Sequence, residues 1–249
     1  MKNLLIYTGA NKKFGEEDSV LAKIQIDNSF DLGWKKEDIM LVTDFAFAYN
    51  GIQSMVIPDG MYYDFDKNAN KIPVVVYLIK NNLISEKDLY WCHDFDVYEN
   101  YFFDESELEL KNFDLGLTHY TYKPEWQCGS FFFKTGAWDI FELVDRTTRA
   151  KPHSSRNNEK TLTKLINRNA IDSRRYKRMN VTYNITKRYI ERIYPLADKP
   201  LKVLHFRPSD KDPLMSNTAL EMFMYGKNRL KIPLMNERII KIFNHHGIK

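Results

Sequence analysis

"YWCHDFDVYEN", residues 90–100, leaves an apolar run through two aspartates that bracket a phenylalanine. The stretch "DLYWCHD" (88–94) reads as a strand, so Asp94 and Asp96 stand where a core strand ends. Two like charges two positions apart are costly beside an apolar core unless something positive offsets them. Solvent, a lysine and a metal ion are the three candidates.

Working outward, "NLLIYTG" (3–9) is a short apolar run stopped by Gly9 and reads as a buried strand. Residues 16–31 open with Glu16, Glu17 and Asp18, carry Val20, Leu21, Ile24 and Phe30 at roughly helical spacing, and meet Gly33 as a stop. "DIMLVTDF" (38–45) and "SMVIP" (54–58) are strand-like. "KIPVVVYLIKNNL" (71–83) is β-branched, yet Ile72, Val75, Val76, Ile79 and Leu83 share a helical face and Pro73 suits a first turn. Strands alternating with helices at this spacing predict an α/β fold with a mostly parallel central sheet. Ligands in such sheets bind beyond the carboxyl ends of the strands. Gly9, Asp44 and Asp94 all lie at such ends and are expected to converge.

Downstream, "FDLGLTHY" (113–120), "QCGSFFFKTG" (127–136) and "LKVLHF" (201–206) read as strands. Residues 137–149 and "EKTLTKLINRN" read as helices. The tail predicts two more, one over about Ser216–Tyr225 and one capped by Asn236 and stopped before Gly247. A main domain over residues 1–213 and a helical tail over 214–249 is the expected organisation.

The 249 residues are 43% hydrophobic and 28% charged, an ordinary globular balance. No stretch approaches eighteen apolar residues, so no membrane span is expected, and the N-terminal apolar run is too short for a signal peptide. Cys92 and Cys128 sit in strand-like runs and read as buried free thiols of a reducing, cytoplasmic setting. The net charge of +4 hides an asymmetry: residues 1–145 hold 13 Lys and Arg against 25 Asp and Glu, and residues 146–211 hold 18 against 5. Either the two parts neutralise each other across the fold, or they form a site with a cation-binding and an anion-binding side.

An Asp-x-Asp pair at a strand end suits a hard divalent cation such as Mn²⁺ or Mg²⁺, which in turn clamps a diphosphate. In "VLHFRPSDK" (203–211), His205 ends another strand and offers an imidazole to the same shell, the alternative being a satisfied core histidine. Lys211 is a compact cation able to meet phosphate oxygens, completing a candidate diphosphate site.

Together these residues resemble the metal-dependent nucleotide-sugar glycosyltransferases of the GT-A fold, of the glycogenin and lipopolysaccharide galactosyltransferase type. The likeness runs over roughly residues 3–213. It rests on the order of the Gly9 strand, the 71–83 helix, the Asp94–Asp96 pair, "QCGSFFFKTG", "NNEKTLTKLI", "RRYKRMNVTYN" and "LHFRPSDKDP". The resemblance implies a Rossmann-type nucleotide-diphospho-sugar transferase fold and a metal-dependent hexosyl- or pentosyltransferase with a nucleotide-diphosphate sugar donor, a UDP-sugar. Asp94 and Asp96 would hold metal and diphosphate, with His205 as third ligand and Lys211 against the leaving diphosphate. Thr8, Gly9 and Asp44 would line the nucleotide pocket. Lys71 would reach a donor phosphate or sugar, against the simpler reading of a solvated lysine at a helix start. Asn158 and Glu159 would face the donor sugar or acceptor hydroxyl, against an exposed first-turn carboxylate for Glu159. Gly129 would let the backbone approach the sugar, against a glycine bulge. Trp126 would stack on a sugar or base, against an ordinary core aromatic.

The pattern departs from the family at Pro208 and Asp212, which replace a Gly and a Pro, and at Asn158–Glu159, which replaces Asp-Gln. Neither retention nor inversion at the anomeric carbon follows. A glycan or glycoconjugate is the expected acceptor. The basic 146–211 region, with Tyr176, Tyr183 and Tyr189 among its cations, also suits a phosphate backbone, so a hydroxylated DNA base is an alternative acceptor. A nucleotidyltransferase is the other alternative, given Gly9, Lys12, Lys13 and Gly15 after the first strand.

Overall fold

The computed structural model describes residues 1–9, 11–63, 65, 70–120, 125–150, 157–186, 190–206 and 235–248. Lys211, Tyr189, Pro208, Asp212 and the helix expected over Ser216–Tyr225 lie outside these residues.

The chain runs β1 (Lys2–Tyr7), α1 (Glu16–Asp31), β2 (Ile39–Thr43), the short pair β3 (Ala48–Tyr49) and β4 (Ile52–Gln53), β5 (Met55–Val56) and α2 (Lys71–Lys80). It continues through β6 (Tyr90–His93), β7 (Val97–Glu99), α3 (Glu105–Leu108), β8 (Leu115–Tyr120), β9 (Glu125–Phe133), α4 (Trp138–Arg149) and α5 (Asn157–Asn167). It closes with β10 (Tyr176–Arg178), β11 (Ile185–Thr186), α6 (Ile190–Ile193), β12 (Val203–His205) and α7 (Glu237–His245).

Seven strands form the central sheet in the order β10-β8-β9-β6-β1-β2-β5. β1 pairs in parallel with β2 and β6, β2 with β5 and β10 with β8, while β9 runs antiparallel to both β6 and β8. The expected mostly parallel α/β sheet is present. Leu4, Leu5 and Ile6 of β1 are all buried, because helices cover both faces of a central parallel strand. On one face Leu5, Leu41 and Trp91 pack with Leu21 and Ile24 of α1 and Ile239 and Phe243 of α7. On the other, Leu4, Val42 and Cys92 pack with Val74 and Leu78 of α2, Ile140 and Val144 of α4 and Leu162 of α5. Each such side chain contributes about 1.5–3 kcal/mol by leaving water. Both cysteines are buried and free.

α1 ends where expected, with Gly33 at a φ of +90° that favours glycine. Asn236 caps α7 by accepting from the Arg238 N–H. The sequence reading overlooked a second sheet, β11-β12-β7, in which His205 pairs with Val97. It is what carries residues 203–206 back beside the Asp94–Asp96 turn. No described helix is long and apolar enough to cross a membrane.

Candidate active site

β1, β2 and β6 run parallel, so Gly9, Asp44 and Asp94 leave the sheet at one edge. Between Gly9 and Asp44 the convergence is direct: the Gly9 N–H donates to Asp44 Oδ2 at 3.1 Å. Asp44 is buried, and its other oxygen, Oδ1, has no partner among the described residues. A buried acceptor without a donor is expensive, which marks Oδ1 as a place where a ligand hydroxyl or N–H fits. The Thr8 hydroxyl donates to the Met61 carbonyl at 3.4 Å, and Asn70 Nδ2 donates to the Thr8 carbonyl at 2.8 Å. The second bond ties the start of α2 to the end of β1.

The next residue corrects the sequence reading of a solvated helix-start lysine. Lys71 is buried, its ammonium 2.7 Å from Asp94 Oδ1 and 2.6 Å from the Cys128 carbonyl oxygen. The first turn of α2 is buried, Lys71 to Val75 included, so the cation is delivered to the sheet edge rather than into water. Burial opposes the charge and is the largest single influence, but Asp94 and the other neighbours outweigh it and leave the Lys71 pKa above its ordinary value. A lysine is therefore one answer to the charge problem at 94–96.

It is an incomplete answer, because Asp96 has a different neighbour. His205 Nε2 lies 3.6 Å from Asp96 Oδ1. Burial pushes the Asp96 carboxyl up; His205 pulls it down and the Asp94 charge pushes it up again, with a net rise. The three residues each bring one ligand atom within 4.8 Å of the others. His205 is no core histidine: its Nδ1 donates to Asn184 Oδ1 at 2.9 Å, which leaves Nε2 facing the aspartates. Asn184 is held in that sense by donating from Nδ2 to Thr118 Oγ1 at 3.2 Å. Two carboxylates and an imidazole, with one carboxylate short of positive charge, are a donor set that fits Mn²⁺ or Mg²⁺.

The Cys128–Gly129 dipeptide of β9 joins these parts. The Cys128 carbonyl accepts from Lys71, and the Gly129 carbonyl accepts from the Asp94 N–H at 2.8 Å. The Cys128 N–H donates to Glu159 Oε1 at 3.1 Å, and the Tyr120 hydroxyl donates to the same oxygen at 3.3 Å. Glu159 is thus anchored to the sheet and is not the exposed first-turn carboxylate of the simpler reading. Buried Asn158 sits beside it, its Oδ1 accepting from the Glu159 N–H at 3.0 Å. Gly129 lies inside the irregular part of this ribbon, where the step from Phe131 to Trp126 on β9 faces only the step from Leu117 to His119 on β8, as the glycine-bulge reading expects. Its missing side chain is filled by others, since a Cβ there would lie 2.2 Å from His205 Cε1 and 3.2 Å from Asp94 Oδ2. Trp126 is a core aromatic, edge-on to His119 and Tyr176.

Charge asymmetry partly resolves into neutralisation. Arg175 pairs with Asp114 and Asp139, Lys177 with Glu109, and Lys202 with Glu107, each a basic residue of the middle region on an acid of the first. Asn184 and the burial of Lys71 are the parts of this site that sequence reasoning missed. The only signal was the Tyr-Asn ending of "RRYKRMNVTYN".

No family model matches the sequence, and no curated protein matches it. Solved structures do. An active-site mutant of LgtC is similar at a TM-score of 0.56 and 11% identity, over 98% of this chain and 96% of that one. Mouse xyloside xylosyltransferase 1, in its apo form, is similar at 0.51 and 10% identity, over 82% of this chain and 96% of that one. A glycosyltransferase involved in the glycosylation of the major capsid of PBCV-1 is similar at 0.50 and 12% identity, over 82% and 93%. At these identities the likeness establishes the fold: the chain has the GT-A fold, with its α/β layers and mostly parallel central sheet.

Proposed function

We propose that this chain is a glycosyltransferase that moves a sugar from a nucleotide-diphosphate sugar to an acceptor hydroxyl. The observation that carries the reading is the meeting of Asp94, Asp96 and His205 within 4.8 Å at the strand ends of a GT-A fold. A Mn²⁺ or Mg²⁺ held by these three would supply positive charge against the diphosphate oxygens of the donor.

The chain's own residues do the rest. Lys71 fixes Asp94 in place. Asn184 holds the His205 tautomer. Asp44 Oδ1 accepts from the ribose or base of a UDP-type donor, with Thr8 and Gly9 beside it. Lys211 is assigned to the leaving diphosphate on the sequence resemblance. In the transfer, a bond forms from the acceptor oxygen to the anomeric carbon, and the bond from that carbon to the diphosphate oxygen breaks. The acceptor proton passes to Glu159 or to a phosphate oxygen, and Asn158, Gly129 and the sheet edge position the sugar. The acceptor is a glycan or glycoconjugate. No contact among the described residues favours a nucleic-acid acceptor.

The test is product analysis. With a panel of nucleotide sugars and Mn²⁺, the chain is expected to release nucleoside diphosphate, and Asp96→Asn to lose about 10²-fold or more of that rate. Release of pyrophosphate instead would assign nucleotidyl transfer. An Asp96→Asn rate near wild type would remove the metal role.

A further inference from the structure

A second cluster of ligand-type side chains lies on the α1–α7 side of the sheet and plays no part in the reading above. His246, which follows α7, places Nε2 2.8 Å from Asp27 Oδ2 on α1. The adjacent His245 ring lies 5.1 Å from the His246 ring. Asp27, His245 and His246 each bring one ligand atom within 4.8 Å of the others. Asp27 is also oriented from outside: the Tyr49 hydroxyl donates to Oδ2 at 2.8 Å and Asn50 Nδ2 donates to Oδ1 at 2.9 Å. A carboxylate held by such partners is what a metal ligand needs around it.

We propose that Asp27, His245 and His246 form a second divalent-metal site, for a borderline transition metal such as Zn²⁺, which fastens α7 to α1. The donor set decides the metal. Two imidazoles and one carboxylate favour zinc, bound at about 2.0–2.1 Å with water completing a tetrahedron, over the harder ions. Asp94, Asp96 and His205 offer the opposite ratio. On binding, the hydrogen shared by His246 Nε2 and Asp27 gives way to the metal, its proton moves to Nδ1 or to solvent, and the pair opens by a few tenths of an ångström. Side-chain rotation suffices, because His245 is exposed and His246 lies just past the end of α7.

The consequence lies in what α7 supports. Phe243 packs on Tyr98 at 4.9 Å and on Phe206 at 6.1 Å between ring centres. Arg238 donates to Asn28 Oδ1, Asp31 Oδ2 and the Glu99 carbonyl. Tyr98 and Phe206 lie within two residues of Asp96 and His205. A clip on α7 therefore braces, from behind, β12, which carries His205, and β7, which follows the Asp94–Asp96 turn.

The test compares the metal-stripped full chain with its His245→Ala variant. Zinc is titrated by calorimetry, and amide exchange over residues 237–245 is followed with and without it. Zinc taken up by Asp94, Asp96 and His205 is common to both proteins and cancels. The wild type is expected to bind one more zinc than the variant, or to bind it more tightly by more than the roughly 10–100-fold that losing an outer-shell partner costs. Zinc is expected to slow exchange of α7 in the wild type alone. Equal zinc binding by the two proteins, or α7 exchange that zinc leaves unchanged, would overturn the proposal and leave the Asp27–His246 hydrogen bond as a simple staple.

Discussion

Lys71 Nζ lies 2.7 Å from Asp94 Oδ1, with the lysine side chain 3% exposed and the aspartate 37% exposed. The pair is therefore buried on one side and wet on the other. The lysine fixes an aspartate whose second oxygen remains turned toward Gly129 and His205.

Removing the cation separates structure from function. Lys71→Met leaves Asp94 with water on its exposed side, so the expected loss of stability is about 1–3 kcal/mol, less than for a fully buried pair. Urea unfolding measures it. Metal-dependent donor turnover should fall further than stability explains, because Asp94 loses its fixed position. Unchanged turnover would limit Lys71 to a structural role.

Gly129→Ala tests the close approach of β9 to β12. The new Cβ would stand 2.2 Å from His205 Cε1 and 2.7 Å from its Nδ1. The imidazole must move and its bond to Asn184 must break. A displacement of about 1 Å costs roughly 10²-fold in rate. Steady-state kinetics across a Mn²⁺ series should show that loss beyond what the accompanying fall in the unfolding midpoint, about 1–3 kcal/mol of overpacking, explains. Wild-type kinetics would mean that His205 is not needed where it stands.

Glu99 makes a prediction about pH. It is buried under Trp34, whose Nε1 donates to Oε2 at 2.7 Å, and burial pushes its pKa up to about 8. The folded state then holds a proton that the unfolded chain releases near its ordinary value of about 4.3. Between those values the folded state binds more protons, so stability falls as pH rises toward 8, by at most about 1.4 kcal/mol per unit. Glu99→Gln should flatten that fall in urea unfolding measured from pH 5 to 8. Parallel profiles for the two proteins would show that Glu99 does not titrate there.

Much of this was legible in the sequence where the signal is local. The apolar run of β1, the acidic first turn of α1, Gly33 and the Asn236 cap each act within a few residues of themselves. Asp94 and Asp96 were legible because carboxylates leaving an apolar strand are conspicuous. The rest depends on distant partners. Lys71 looks like any helix-start lysine until β9 is placed 57 residues on, and Asn184 gains meaning only beside His205, 21 residues later. The β11-β12-β7 sheet is built of two- and three-residue strands, too short to show alternation. The docking of α7 on α1 spans 219 residues at His246–Asp27 and leaves no periodic trace.

The central claim is that Asp94, Asp96 and His205 share one cation. The most direct measurement counts manganese bound per chain in the presence of UDP, by electron paramagnetic resonance of the free ion, for the wild type, Asp96→Asn and His205→Ala. The account predicts one tightly bound Mn²⁺ in the wild type and its loss, or weakening by about 10²-fold, in both variants. The same occupancy in all three proteins would contradict it.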